Sequence, residues 1–211
     1  MIDLIAPIID TCAVCRTWSK ARPETIASVS VAGRFNAQVE IDLLFHKKKI
    51  IGHMVDRCTR WHAAKEVEGE SMATLIAAID DMRVGLHGPM KELIVDGERS
   101  ISESSESAEY FRRKGITGIV RALGQHARCI ERRGALLRDA LHKVDDQLHA
   151  EGPTDVPFAR RLSEAVFAGD AMLSINQSTP YNAIYGRVPS ILPDINHGGL
   201  DNIGSMPGLH R

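Results

Sequence analysis

Several things are scarce in this 211-residue chain. Aromatic residues make up 5% of it and cysteine occurs four times. Two of the cysteines form the pair Cys12-Ala-Val-Cys15, and Cys58 and Cys129 stand alone in regular segments, so the even framework of a secreted disulfide-stapled domain is excluded. No apolar run approaches the roughly 18 to 20 residues that a membrane helix needs. The opening MIDLIAPIIDTC carries acids where a secretory signal carries positive charge, so a soluble, intracellular protein is expected. An excess of either charge is missing too: 26 Lys and Arg against 27 Asp and Glu leave a formal net charge of −1. The chain is neither an acidic tail nor a polycation, and any nucleic-acid surface must be local. Internal repeats and low-complexity tracts are absent.

What is present is enough apolar residue, 44% of the chain, to bury a sizeable core without a staple. Residues 1–36 have little regular pattern and read as the end of a small module followed by a linker. The main domain is expected over residues 37–188, and the Gly-, Pro- and Asn-rich stretch 189–211 as a loosely ordered tail. Three strand-like runs, 38–46, 49–56 and 60–67, are separated by short polar breaks at hairpin spacing and read as an antiparallel meander. Apolar residues at helical intervals mark a helix over 71–86, stopped by Gly88-Pro89. A short buried-type strand (92–96), a polar helix (102–114) and another strand (116–120) follow. That alternation implies parallel strands joined by crossovers. A long amphipathic helix is expected over about 125–150, with Gly134 permitting close packing, and another over about 155–175. The fold class is α/β: a five-stranded mixed sheet, three antiparallel strands followed by parallel ones, flanked by helices.

Three acids carry the chemistry. In VEIDLLF, alternation places Val39, Ile41, Leu43 and Phe45 on one face and Asp42 on the other, between Glu40 and Leu44. An acid inside so apolar a strand is costly unless it is paired or used. Asp96 closes the strand Leu93-Ile-Val, before Gly97, where open α/β sheets present ligand-binding groups. Glu131 lies one position beyond Ile130 on the long helix, about 100° around from its apolar stripe. Each has a plain structural reading as well: a strand-edge carboxylate, an Asp-Gly turn, and a helix Glu pairing with Arg128 or Arg138. Asp56, Asp80 and Asp81 read as solvated or capping. Glu40 shares Asp42's face and can support it. Glu98 follows Asp96 closely enough to compete with it. His126 beside Gln125 can touch substrate, whereas His46, His62, His87, His142 and His149 are expected at the surface.

The order of elements, with 53 residues between Asp42 and Asp96 and 34 between Asp96 and Glu131, resembles the DDE catalytic core of retroviral and LTR-retrotransposon integrases, which has an RNase H-like fold. VEIDLLF and IGHMVDRCTRWHAAKEV are similar to the family's first three strands. GQHARCIERRGALLRDAL is similar to its loop and catalytic-Glu helix, and TPYNAIYGRVP, from Thr179 to Pro189, to its closing motif. Copia- or gypsy-type elements are the suggested relatives. The resemblance implies an integrase inserting retrotransposon DNA by 3′-end processing and strand transfer, with Asp42, Asp96 and Glu131 holding two Mg²⁺ or Mn²⁺ ions. It also implies double-stranded DNA as partner, a homo-oligomer and a nuclear location. The alternatives are a decayed or domesticated core that binds DNA without catalysis, and another RNase H-like nuclease such as a ribonuclease H. One departure is a second-Asp-to-Glu interval one shorter than the commonest retroviral one, attributed to a trimmed loop around residues 123–125. The other lies in the amino-terminal zinc module, which pairs two histidines with two cysteines. Cys12 and Cys15 match its CxxC, but no His lies in residues 1–11. The module is therefore expected to be incomplete and the pair to hold no zinc by itself.

Basic charge is concentrated where the resemblance expects DNA. Between Phe111 and Lys143 stand Arg112, Arg113, Lys114, Arg121, Arg128, Arg132, Arg133, Arg138 and Lys143, against Glu131 and Asp139. Gln125, His126, Arg128, Arg132 and Arg138 are the expected DNA contacts, and phosphate neutralisation accounts for the cluster better than a solvated face.

Overall fold

The computed structural model describes residues 12–14, 32–95, 104–121, 128–152, 155–175 and 177–189. Strands β1 (Gln38–His46), β2 (Lys49–Asp56) and β3 (His62–Val67) form the expected antiparallel meander. The turn at Lys47-Lys48 places Lys47 at φ 54°, in the left-handed region. β3 begins at His62, two residues later than the sequence suggests. Helix α1 (Met72–Ile79) is capped by Ser71, whose side chain accepts from the Thr74 amide. It runs on through a wider π turn, Asp80–Val84, and a last turn, Gly85–His87, until Gly88 (φ 76°) and Pro89 stop it. Asp80 and Asp81 therefore lie within a continuous helical run and do not end one. Asp80 accepts from the Tyr110 hydroxyl at 2.9 Å, and Asp81 pairs with Lys65 on the surface.

β4 (Glu92–Val95), helix α2 (Ser105–Lys114) and β5 (Thr117–Val120) follow. Ser104 caps α2 and Gly115, at φ 68°, ends it. β4 pairs in parallel with β1 and with β5, giving the sheet order β3-β2-β1-β4-β5. Helices α3 (Arg128–Glu151), α4 (Phe158–Met172) and α5 (Pro180–Tyr185) complete the described chain. The α5 turn is built from the closing motif: Thr179 caps it, Pro180 opens it and Gly186 (φ 65°) ends it. Proline at the first helical position and glycine just past the end are the residues such a turn favours.

The two faces of the sheet differ. Val39, Ile41, Leu43, Met54, Leu93 and Val95 pack with α1 and α2 in one large apolar cluster. Phe45, read as part of that face, is 51% exposed at the hairpin end. The opposite face carries α3 and α4, and its apolar packing is divided. Leu44, Ile51, Leu137, Leu141, Phe158 and Leu162 form one cluster, and Val55, Cys129 and Ile130 another. Asp42 and His53, directly paired across β1 and β2, lie on this face between the two clusters.

Candidate active site

The α3 face of β1 reads Glu40, Asp42, Leu44 from one end to the other, and α3 is fixed to both sides of Asp42. At one side Glu40 Oε2 accepts from the Ile130 amide at 3.1 Å. At the other, a Cβ added to Gly134 would come within 2.9 Å of Leu44 Cδ2, so any larger residue would force the Leu44 side chain to shift. The first turn of α3 is thus held beside Asp42, and that turn carries Glu131, which is exposed. Asp42 is half-buried, and its Oδ1 accepts from the Leu43 amide at 2.8 Å. The helix that carries Glu131 packs on the sheet face that carries Asp42. Asp96, Glu98, Gln125, His126 and Cys15 lie outside the described residues. β4 is described to Val95, where it is buried next to β1.

Asp42 and Glu131 offer only oxygen donors, the chemistry that hard divalent cations such as Mg²⁺ take. Asp42 and Glu131 are the described residues that could hold such an ion. Cys12 is half-buried. Among the described residues no group of three His, Cys, Asp or Glu side chains is placed to hold a metal.

Behind Asp42 runs a buried polar seam that the sequence reading did not find. His53 Nε2 lies 3.0 Å from His62 Nδ1, and His62 Nε2 lies 3.2 Å from the Val166 carbonyl. A carbonyl only accepts, so His62 carries its proton on Nε2, and its Nδ1 accepts a hydrogen bond from His53 Nε2–H. Asp170 Oδ1 accepts from the His62 amide at 3.1 Å and from Arg133 at 2.7 Å, and Arg133 also donates to the Gly169 carbonyl at 3.3 Å. Burial, helped by the Arg133 charge, lowers the His53 pKa to about 3 and holds His62 well below its ordinary value. Burial raises the Asp170 pKa to about 7 against the pull of Arg133. His62 is therefore not a surface residue. Nor is His46, which is 2% exposed and bonded to Asp145 at 2.9 Å. Asp56, read as solvated or capping, is fully buried. It caps the turn through the Cys58 and Thr59 amides and pairs with buried Arg83 at 2.9 Å. A histidine flanked by apolar residues on a strand, as in Ile51-Gly-His53-Met54, was the one available signal.

The basic segment is only partly a surface. Arg133 is 3% exposed and occupied by Asp170, so it cannot line a DNA path. Arg121 reaches Glu40, Arg112 is paired with Glu109, and Lys114 lies 3.4 Å from Asp80. Arg132 and Arg138 are exposed on α3. The Arg128 side chain is outside the described set.

No family model and no curated protein matches the sequence. Solved structures do match. The simian T-cell lymphotropic virus intasome, determined by cryo-EM in complex with the PP2A regulatory subunit B56 gamma, superposes with a TM-score of 0.66 at 16% identity, over 92% of this chain and 69% of that one. The HTLV-2 integrase catalytic core domain in complex with magnesium, in its dimeric form, superposes with a TM-score of 0.58 at 15% identity, over 70% of this chain and 94% of that one. Its trimeric form gives 0.58 at 16%, over 70% and 95%. The fold is that of a retroviral integrase catalytic core. In this fold the meander, the parallel pair and the long helix stand in the order read from the sequence.

Proposed function

We propose that the chain is a polynucleotidyl transferase of the integrase type, joining the DNA ends of a retrotransposon to target DNA in the nucleus. The observation that carries this reading is the packing of the helix that carries Glu131 on the sheet face that carries Asp42 in an integrase core fold, with Asp96 next in the chain after Val95. Asp42, Asp96 and Glu131 would hold two Mg²⁺ or Mn²⁺ ions. Bound there, such ions lower the pKa of an attacking water or 3′-hydroxyl and stabilise the leaving 3′-oxygen. In joining, the element's 3′-hydroxyl oxygen forms a bond to a target phosphorus while the bond from that phosphorus to its 3′-oxygen breaks. In end processing, water is the attacking group. No protein nucleophile takes part, so the chain needs no Ser-His-Asp or Cys-His arrangement. Its own residues position the carboxylates and bind phosphate: Arg132 and Arg138 stand exposed on the helix that carries Glu131. The superposed intasome and the dimeric and trimeric HTLV-2 cores support an oligomer acting on duplex DNA.

The test is joining of a recessed-end duplex to a target duplex with Mn²⁺. Asp42→Asn, Asp96→Asn and Glu131→Gln should each lower joining by at least about 100-fold, the upper end of what losing an outer-shell partner of a metal site costs. Each variant should remain folded, because removing one charge from a repulsive acidic cluster does not destabilise it. Substantial joining by one variant removes that residue from the site. DNA binding by the wild-type chain with no joined product identifies a non-catalytic core.

A further inference from the structure

Glu40 is 3% exposed, beneath a sheet face that a carboxylate occupies only at a cost in free energy unless it is paired. Its partners come from separate parts of the fold. Oε2 accepts from the Ile130 amide at 3.1 Å and lies 3.4 Å from the Arg121 guanidinium, while Oε1 lies 3.3 Å from Arg57 Nε. Ile130 precedes Glu131 and sits in the first turn of α3, where backbone amides have no partner within the helix. A carboxylate accepting such an amide does the work of a capping side chain and meets the positive end of the helix dipole. Arg121, in turn, donates its backbone amide to the Val95 carbonyl at 3.0 Å, and Val95 is the residue before Asp96. Glu40 itself is two residues from Asp42 on the same face of β1. One buried side chain thus ties together the strand that carries Asp42, the end of β4 and the first turn of α3.

We infer that Glu40 is the positioning residue of the site, fixing the first turn of α3, which carries Glu131, and the end of β4 at Val95 against β1, which carries Asp42. The inference rests on the integrase reading for what those carboxylates do, but not for the tie itself.

The experiment uses the full chain, first without metal or DNA, and reads amide hydrogen exchange. In Glu40→Ala, Ile130 should exchange about tenfold faster, the loss expected of a missing cap, while Leu137 and Leu141 keep their wild-type protection. Glu40→Gln, which still accepts from the Ile130 amide but offers the two arginines no charge, should keep most of that protection. The same variants are then assayed for Mn²⁺-dependent joining. Glu40→Ala should lose at least about tenfold in kcat with the KM for DNA unchanged, and Glu40→Gln should recover part of it. Unchanged exchange at Ile130 overturns the inference. So does a uniform rise over Leu137 and Leu141, which marks general loss of stability, or a loss confined to KM. Failure of the wild-type chain to join DNA counts against the integrase reading and leaves the exchange result to decide the tie.

Discussion

At the scale of single residues the seam behind Asp42 makes the protein sensitive to acid in a definite direction. His53 and His62 are neutral, with their protons assigned by the Val166 carbonyl. In the unfolded chain both take up a proton near 6.5, whereas burial holds His53 at about 3 and His62 well below its usual value. Between those limits the unfolded state binds more protons, so stability rises with pH. The contribution of the pair is fully present above 6.5 and is lost as pH falls toward 3. For one such histidine the slope is about 1.4 kcal/mol per pH unit; Asp170, with its pKa raised to about 7, contributes the opposite slope over the same interval, so the net fall on acidification is that of about one histidine. Urea midpoints at pH 7 and pH 5 should therefore fall on acidification, and His53→Leu should make the fall smaller. A wild-type midpoint that is flat over this interval would mean that the buried pair already carries charge. Deletion of His53 also leaves His62 Nδ1 without its donor, so the variant should be less stable than wild type at pH 7.

At the scale of elements, α4 is held on the edge strand β3 by Asp170 on the His62 amide and by contact at Gly169. A Cβ at Gly169 would lie 2.8 Å from His62 Nε2, on a ring fixed at both nitrogens and unable to give way. Gly169→Ala should cost about 1–3 kcal/mol by overpacking even though alanine favours helix, and a raised denaturation midpoint would show that α4 is free to shift. The elements themselves were legible in the sequence because their signals are local. Alternation in VEIDLLF and IIGHMVD gives strands, the spacing of Ile130, Leu137 and Leu141 gives a helix face, and Gly88-Pro89 gives a stop. Asp42 stood out for the opposite reason, as an acid in a strand where apolar packing makes acids costly, whereas exposed Glu131 was singled out only through the resemblance. The seam was not legible, because its partners lie far apart in the chain: His62 meets Asp170 across 108 residues and Arg133 meets it across 37. Nothing near His62 or Arg133 in the sequence tells a buried, neutralised group from a surface one. The helical run to Gly88 was read from the sequence but its π turn was hidden likewise, since Arg83 is drawn inside the helix face by Asp56 and by Phe35 and Trp61, whose rings lie 4.4 and 5.0 Å from its guanidinium.

At the scale of the whole molecule, the near-zero net charge leaves DNA binding to whichever cations face solvent on the site's side. Two basic residues between Phe111 and Lys143 are committed to the protein itself, Arg133 to Asp170 and Arg121 to Glu40, whereas Arg112 stays exposed in its pair with Glu109. Arg132 and Arg138 remain exposed on α3. If they neutralise phosphate, each contributes a slope of about −0.9 to the dependence of log affinity on log salt concentration. Replacing both with alanine should flatten that slope by roughly two and weaken all duplexes about equally, because phosphate contacts carry no sequence information. Lys47 and Lys48, at the β1–β2 turn, serve as the control; Lys47 is already bound to Asp145 at 2.7 Å, so alanine at both positions should leave the slope unchanged. Arg133→Ala should behave differently from either pair. It strips the buried Asp170 of its cation and should lower stability by about 3–5 kcal/mol, with no separate effect on the slope in protein that remains folded. Salt titrations of binding, run beside denaturation of the same variants, distinguish these patterns. A slope insensitive to Arg132 and Arg138 would place the DNA away from the outer face of α3, and a slope that falls with Arg133 would contradict its burial.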